Sequence, residues 1–206
     1  MKILLLNGSP HERGCTATAL LELAGSLERQ GVETELLHVG VKPVADCSGC
    51  GVCAGAGLCV FDDAVNELLE RLDEFAGLVV GSPVYYAGPT GAVTSFLNRL
   101  FYAGSRRMAG KLGAAVVSCR RAGATAALDR LYKYFTISNM VLVGSQYWPM
   151  VHGSTPDEAR ADVEGMQIMR TLGENMAWLL RERQAGREAA VRPAAYELRV
   201  TMSFHH

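Results

Sequence analysis

Short apolar runs alternate with segments of helical periodicity along most of the chain. Residues 2–8 form a continuous apolar run that ends at a glycine, which is typical of a buried strand. In residues 16–31, leucine and alanine recur every three to four positions before a glycine, which predicts a helix and its end. By the same criteria the further strands are 32–40, 77–83, 112–119 and 140–145, and the further helices are 63–75 (capped by Asp62 or Asp63), 90–104, 123–137 and 157–183.

This alternation predicts a single α/β domain. Parallel strands joined by helices form a sheet that is covered on both faces, and five such strands match the doubly wound order 2-1-3-4-5. In that order, ligands bind beyond the carboxyl ends of the strands, between strands 1 and 3. Strand 1 ends in Asn-Gly-Ser-Pro at 7–10 and strand 3 ends in Val-Gly-Ser-Pro at 80–83, so both sides of the predicted crevice carry a glycine, a serine hydroxyl and a proline.

Composition narrows the classes of protein that fit. The chain has 206 residues, a net charge of −1 and 20% charged residues, which favours neither a nucleic-acid partner nor disorder. Residues 75–98 and 134–156 carry no charged side chain, but glycine and proline interrupt both, so no membrane span is predicted. The first residues do not resemble a signal peptide, and we expect a cytoplasmic protein.

The loop after strand 1 has the features of a phosphate site. It leads directly into a helix, whose first amides and positive dipole end favour an anion. Ser9 and Thr16 add hydroxyls, and His11 and Arg13 add positive charge. The loop matches neither a Walker motif nor the dinucleotide motif, and no arginine follows Cys15 as a cysteine phosphatase requires. A ligand with one terminal phosphate, such as FMN, is predicted; the alternative is a strand–helix turn without a ligand.

The loop after strand 3, at 82–91, suits the ring of the same ligand. Tyr85 and Tyr86 offer aromatic surface, and the prolines and glycines around them leave backbone amides exposed for the polar edge of an isoalloxazine ring. The alternative is that the two tyrosines only cover the end of the sheet. We favour the ligand slot because the loop is apolar and lies where the strand order reverses.

Four of the six cysteines form one compact motif. Cys47, Cys50, Cys53 and Cys59 have the spacing C-x2-C-x2-C-x5-C, and glycines between them permit the tight backbone that wrapping around a small object requires. Four local thiolates can hold one [4Fe–4S] cluster. Zinc more often uses two separated pairs, so zinc and the absence of any metal are the alternatives. The other two cysteines, Cys15 and Cys119, are not expected to bind the metal.

The segments at 7–16 and 82–99, together with the cysteine motif, resemble the NAD(P)H-dependent FMN reductase superfamily, and most nearly its iron–sulfur flavoprotein branch. The resemblance covers roughly residues 1–185 and implies a flavodoxin-like fold with FMN at the ends of strands 1 and 3. His11 and Cys15 stand where the family often has arginine and asparagine, which implies a differently charged phosphate site. The resemblance assigns Ser9, His11, Cys15 and Thr16 to the phosphate loop, and Pro83, Val84, Tyr85, Tyr86, Ala87 and Gly88 to the flavin-ring loop.

The resemblance also implies a function. The implied protein is an FMN-dependent oxidoreductase or electron-transfer flavoprotein. It couples FMN, a two-electron carrier, to a one-electron [4Fe–4S] cluster that the four clustered cysteines bind. NAD(P)H would donate electrons transiently, a redox partner protein or a small molecule would accept them, and the protein would form a homodimer or homotetramer. The alternatives are an NAD(P)H-dependent FMN or quinone reductase without a cluster, and a zinc-stabilised module that senses redox state.

We assign 1–185 to the FMN-binding domain, with the cysteine motif as an insertion at 46–61, and 186–206 to an extension that contacts a second subunit. Arg120 and Arg121 follow strand 4. One hypothesis is that one of them stabilises negative charge on reduced flavin; the alternative is a pair of surface arginines.

Overall fold

The computed structural model describes residues 1–197 and Val200. Its strands are β1 (Lys2–Asn7), β2 (Glu33–His38), β3 (Gly77–Pro83), β4 (Leu112–Cys119), β5 (Val141–Leu142) and β6 (Met150–His152). Its helices are α1 (Cys15–Arg29), α2 (Cys53–Ala56), α3 (Ala64–Arg71, continued by a 3-10 turn at Leu72–Glu74), α4 (Gly91–Met108), α5 (Ala124–Ile137), α6 (Pro156–Ala161) and α7 (Val163–Glu188).

The strands form one parallel sheet in the order β2-β1-β3-β4-β5, with β6 also paired to β4. The predicted α/β fold and strand order are therefore confirmed. In the register between β1 and β3, Asn7 lies opposite Gly81, so the two Gly-Ser-Pro corners leave the sheet side by side. The crevice between them is fixed by the pairing of two central, fully hydrogen-bonded strands.

Apolar side chains alternate between the two faces of the sheet and form two core layers. Leu4, Leu6 and Val80 face α3, α4 and α5, whereas Ile3 and Leu5 face α1 and α7. Strands β1, β3 and β4 are buried along almost their whole length, as expected of parallel strands that helices cover on both sides. This packing makes the ends of these strands a rigid platform for the loops that follow them.

Two of the predicted elements differ from the structure. Within the predicted strand 140–145, only Val141–Leu142 forms a strand, which pairs with the first residues of β4. The chain then leaves the sheet through 143–149 and returns as β6, which pairs with the last residues of β4. The predicted helix 157–183 consists of α6 and α7, which are separated at Asp162. The Asp162 side chain accepts a hydrogen bond from the backbone N–H of Gly165, and this cap begins the second helix.

Other boundaries shift less. Helix α4 continues to Met108, four residues beyond the predicted end, and the cap of α3 is Asp63, whose side chain accepts a hydrogen bond from the Val65 N–H. Helix α7 continues to Glu188, into the predicted extension, of which residues 198–199 and 201–206 lie outside the described part of the chain.

Among the described residues, no helix is both long enough and apolar enough to cross a membrane.

Candidate functional site

A cavity of about 820 Å³ opens at the carboxyl ends of β1, β3 and β4. Its volume lies within the range of roughly 300–1,000 Å³ that is typical of small-molecule sites. Three loops and one strand end form its walls: the loop after β1, the loop after β3, the end of β4, and the loop between β6 and α6. The cavity is therefore at the position that the strand order predicts.

The loop after β1 is held in shape by its own hydrogen bonds. The Asn7 side chain accepts from the Ser9 N–H at 3.1 Å, and the Ser9 hydroxyl accepts from the His11 N–H at 3.1 Å. Gly8 donates its N–H to the carbonyl of Gly81 across the sheet at 2.8 Å. The loop enters α1 at Gly14, and no side chain caps the first turn of that helix. Gly14, Cys15 and Thr16 line the cavity, so the first turn of α1 borders it without a side-chain cap, which suits a phosphate group.

The segment after β2 supports this loop from behind. His38, the last residue of β2, donates from Nε2 to the carbonyl oxygen of Ser9 at 2.6 Å. A Cβ atom at Gly40 would lie only 1.9 Å from the same oxygen, so no larger residue fits without displacing the loop. Two contacts on one carbonyl thus set the position of Ser9 relative to the strand that leads into the cysteine motif.

The loop after β3 contains a tight turn with an unfavourable backbone. Tyr85 and Gly88 exchange both backbone hydrogen bonds, at 2.8 and 3.0 Å, around Tyr86 and Ala87. Those two central residues have φ values of 49° and 60°, which are uncommon for residues other than glycine, asparagine or aspartate. Gly123 packs against the turn so closely that a Cβ there would lie 2.9 Å from the Cα of Ala87. The neighbouring β4–α5 loop therefore helps to hold the turn in place.

The floor of the cavity is made of hydroxyls. Thr16, at the start of α1, and Ser118, near the end of β4, are both buried, and their hydroxyl oxygens lie 2.8 Å apart. Cys15 lies beside them, and its thiol donates to the carbonyl of Gly153 at 3.6 Å. Burial raises the pKa of the Cys15 thiol, so this group is a neutral wall of the cavity at neutral pH.

The structure places seven of the ten predicted flavin-site residues in the wall of the cavity. Tyr86, Ala87 and Gly88 are the three that are not in the wall, and Tyr86 is exposed. The second serine of the paired corners, Ser82, is occupied within the protein: its hydroxyl accepts from the Thr90 N–H at 3.0 Å and donates to the carbonyl of Pro83 at 2.9 Å. The expectation that both corner serines offer a hydroxyl to a ligand is thus wrong for Ser82. The predicted residues in the wall are Ser9, His11, Cys15, Thr16, Pro83, Val84 and Tyr85.

Sequence reasoning missed one wall of the cavity. The loop between β6 and α6, at 153–156, lines it together with Ser118, Cys119 and Arg120 from the end of β4. The signal was present, since Thr155, Pro156 and Glu158 form a helix start: the Thr155 hydroxyl accepts from the Glu158 N–H at 3.2 Å. The helix start is predictable from these residues, but its contact with the ends of β1 and β4 is not, because that contact is tertiary.

The cysteine segment, which we define as residues 45–63, follows β2 and packs against α4. It contains the short helix α2 and three glycines at positive φ, Gly49, Gly51 and Gly57, which turn the chain sharply between the thiols. All six cysteines of the chain are free thiols, and Cys50 is exposed, whereas the other three in this segment are half-buried. Within the part of the chain that the structure describes, no three Cys, His, Asp or Glu side chains lie close enough together to hold a metal ion.

Both ends of the cysteine segment are fastened to α4. Arg99 has a fully buried side chain and pairs with Asp63 through two hydrogen bonds of 2.6 and 2.8 Å. Burial is the largest single effect on Asp63 and would raise its pKa, but the Arg99 hydrogen bonds, the Val65 N–H and the Arg99 charge together outweigh it, so the pKa is lowered. Asn98 donates to Asp46 at 2.8 Å and in turn accepts from the Tyr134 hydroxyl at 2.5 Å. Asp46 is thereby held as a carboxylate, and its pKa is lowered mainly by the Asn98 hydrogen bond.

Comparison with known proteins identifies the family. The family model described as NADPH-dependent FMN reductase matches residues 1–155. This chain belongs to the NADPH-dependent FMN reductase family. An iron–sulfur flavoprotein of Methanocaldococcus jannaschii is 29% identical over 191 residues, which cover 86% of this chain and 96% of that protein. An iron–sulfur flavoprotein of Archaeoglobus fulgidus is 31% identical over 160 residues, which cover 76% of this chain and 79% of that protein.

The solved structures agree on the fold. An archaeal flavodoxin aligns with a TM-score of 0.59 at 15% identity, covering 88% of this chain and 99% of the flavodoxin. The predicted membership and the flavodoxin-like fold are thus confirmed. As a member of the NADPH-dependent FMN reductase family, the chain is a flavin-dependent oxidoreductase, and the cavity at the ends of β1 and β3 is its candidate flavin site.

Proposed function

We propose that the protein transfers electrons between FMN, bound in the cavity, and a [4Fe–4S] cluster bound by Cys47, Cys50, Cys53 and Cys59. The observation that carries this proposal is that α4 joins the two sites. The helix begins at Gly91, directly after the flavin-ring loop, and holds the cysteine segment through Arg99. Eight residues separate the two positions, a distance of about 12 Å along a helix axis at roughly 1.5 Å per residue.

The cavity fits the parts of FMN in order. The uncapped first turn of α1 and the polar groups of Ser9 and Thr16 bind the phosphate. Pro83, Val84 and Tyr85 provide the flat, largely apolar wall that a flavin ring requires. No acidic or basic side chain has to take part in the redox step, because the flavin supplies that chemistry when it is bound.

The cysteine segment fits a cluster by the chemistry of its donors. Four thiols within one short loop are the ligand set that [4Fe–4S] clusters use, and the glycines at positive φ allow the chain to wrap. The names of the relatives support the same assignment. The thiols are not gathered in the described structure, so the segment between the two fastened ends has to close for all four sulfurs to meet. When bound, the cluster supplies a one-electron store beside a two-electron cofactor.

The separation of the four thiols favours a second candidate function. In this alternative the protein is an NAD(P)H-dependent FMN or quinone reductase that binds FMN but no cluster. A zinc-stabilised module without flavin is the third possibility, and the size of the cavity argues against it. In all three cases the described fold is the same, so only the bound groups distinguish them.

One analysis of protein purified without oxygen separates these candidates. We expect flavin absorption bands together with a broad brown absorption that bleaches on reduction, and iron, sulfide and FMN in the purified chain. Flavin bands without iron would replace the proposal by the second candidate. Zinc without flavin would replace it by the third.

Arg120 is proposed to stabilise negative charge on the reduced flavin. It lines the cavity, whereas the neighbouring Arg121, also exposed, does not. Replacing Arg120 with methionine should lower the reduction potential of bound FMN, because a positive charge near the ring favours the anionic reduced form. The same replacement of Arg121 is the control, and an equal effect of both would remove Arg120 from the site.

The partners follow from the electron-transfer role. We propose that NAD(P)H reduces the flavin transiently, that a redox partner protein or a small molecule takes up the electrons, and that the protein forms a homodimer or homotetramer in the cytoplasm. The domain is proposed to end near residue 185, with 186–206 as an arm toward a second subunit. Light scattering of the full chain and of a chain that ends at Ala190 tests the arm, since only the full chain should be oligomeric.

A further inference from the structure

Arg99 makes an unusually complete set of contacts. Its side chain is fully buried, and its guanidinium group lies 5.0 Å from the centre of the Phe61 ring. A guanidinium has five N–H bonds to donate, and each of them has an acceptor here. The acceptors are Cys59 Sγ at 3.1 Å, Asp63 Oδ2 at 2.6 Å, Asp63 Oδ1 at 2.8 Å, the Phe61 carbonyl at 3.0 Å and the Ala45 carbonyl at 3.4 Å.

These acceptors lie at the two ends of the cysteine segment. Ala45 precedes the first clustered cysteine by two residues, and Cys59 is the last of the four. One buried side chain therefore contacts the first and the last residues of the cysteine segment and joins both to α4. The residues between these two ends are largely exposed, and the glycines at positive φ form their backbone turns.

The chemistry of this contact indicates more than packing. Burying a charge costs free energy, and apolar side chains of similar volume often stabilise a contact between two segments as well or better. A lysine in this place offers three donors from one point and cannot match five acceptors that lie around a plane. The planar guanidinium group is needed only if the function requires fixed relative positions of the two ends of the cysteine segment and of the Cys59 sulfur.

We propose that Arg99 is a positioning residue that holds the cysteine segment closed at its base and presents the Cys59 sulfur, with one N–H···S hydrogen bond, to the group that the four thiols bind. The first part stands on the contacts alone. The second part rests on the proposed function: with a [4Fe–4S] cluster in place, a donor and a positive charge beside one ligand sulfur favour the reduced cluster and raise its potential.

Helix α4 also provides a matched control. Arg107, about two turns further along, forms a similar pair with Asp73 through contacts of 2.7 and 3.4 Å and donates to the carbonyl of Leu69 at 2.6 Å. This arginine fastens α3 and not the cysteine segment. The substitutions Arg99→Lys and Arg107→Lys therefore make the same chemical change in the same helix.

Hydrogen exchange of the full chain with excess FMN tests the first part. Arg99→Lys should speed exchange in peptides covering 45–63 by about tenfold or more, the factor expected from losing one charge-assisted hydrogen bond. The amide of Cys59, which donates to Asn66 at 2.8 Å, should respond most clearly. Arg107→Lys should leave these peptides unchanged and affect those around 69–73. Unchanged exchange in Arg99→Lys, or equal changes in both variants, would overturn the proposal.

A second variant covers the case in which Arg99→Lys does not fold. Asp63→Asn breaks the same pair from its partly exposed side, and asparagine can still cap α3. It should speed exchange over 45–63 in the same direction, and no change would count against the proposal.

The cluster potential tests the second part. After reconstitution with iron and sulfide, Arg99→Lys should lower the midpoint potential of the cluster relative to the parent chain, and Arg107→Lys should not. Equal potentials in all three chains would overturn the sulfur contact as a functional one. A parent chain that binds no iron would overturn the proposed function and this second part together, while the exchange comparison would still decide whether Arg99 holds the loop.

Discussion

The cavity and the cysteine segment are built in opposite ways, although β2 and α4 connect them. The cavity is formed by the ends of buried strands, and its backbone is fixed by hydrogen bonds such as that between Gly8 and Gly81. The cysteine segment is fixed only at its two ends, and its thiols are apart. The cavity is preformed, whereas the proposed cluster site would have to close around its ligand.

This difference has a thermodynamic meaning. A preformed site does not spend binding free energy on ordering the chain, so the affinity of the cavity for FMN depends mainly on its shape. A metal site that closes on binding gains its order from the metal, because ligand binding and local folding are then one process. Substitutions in the cavity should therefore change affinity in proportion to the distortion, while loss of one cysteine should abolish the second site.

The largest expected effect is the loss of the cluster from Cys59→Ser. We expect the brown absorption and the bound iron to disappear, while FMN binds as before, because the flavin site does not depend on the closed loop. Iron analysis and visible spectra of protein prepared without oxygen measure both. Cys15→Ser is the control and should keep its iron. If Cys59→Ser also lost FMN, the two sites would not be separate structures.

The next effect is expected from Gly40→Ala. The added methyl group would overlap the Ser9 carbonyl, at 1.9 Å, and push the phosphate loop out of place. A strain of about 1–3 kcal/mol should weaken FMN binding roughly tenfold to a hundredfold. Quenching of FMN fluorescence on titration measures it.

Gly144→Ala is the matched control for this experiment, because nothing lies within 4 Å of a Cβ at that position. It should bind FMN with the affinity of the parent chain. Equal affinities of the Gly40 and Gly144 variants would show that the phosphate loop is not fixed by the segment after β2.

A smaller effect is expected from Thr16→Val. Valine has nearly the same shape but removes a hydroxyl that lies 2.8 Å from the Ser118 hydroxyl on the buried floor of the cavity. The unpaired Ser118 and the lost ligand contact should cost about 1–2 kcal/mol, or roughly a tenfold loss of FMN affinity. The same titration measures this. Thr18→Val, two residues further along α1 and with its hydroxyl on the Gly14 carbonyl, should change the affinity less.

The smallest effect is expected from Ala87→Gly. The φ of 60° at Ala87 is unfavourable for alanine and free for glycine, so the folded protein should gain about 0.5–1 kcal/mol in its free energy of unfolding. Thermal unfolding of the apoprotein measures this. Ala54→Gly, in the exposed helix α2, has the opposite expectation, since glycine is unfavourable inside a helix. A lower stability of Ala87→Gly would mean that the turn is not strained.

The sequence predicts the fold and the place of the cavity well, because both follow from local patterns. Continuous apolar runs identify β1, β3 and β4, and the strand order then locates the crevice beside Ser9 and Pro83. The fifth strand is predicted, but its limits are not, since the apolar run at 140–145 continues past the two residues that pair. Strand β6 at Met150–His152 is too short to show a period.

The candidate site was predictable only in part, for a related reason. Residues next to the paired corners could be assigned from the strand ends and from the family resemblance, but Ser118 and the loop at 153–156 reach the cavity through tertiary contacts that no local pattern contains. The same holds for Arg99, whose five acceptors come from positions 36 to 54 residues away along the chain. Conversely, the cysteine spacing predicted a metal site that the described structure does not show closed.

A reductive titration under argon tests the central claim most directly, because it counts the electrons that one chain accepts. FMN in the cavity and a cluster on the four cysteines predict about three electron equivalents per chain, two for the flavin and one for the cluster. The visible spectrum should show flavin and cluster bleaching in the same sample. Uptake of only two equivalents, with flavin bands alone, would contradict the account.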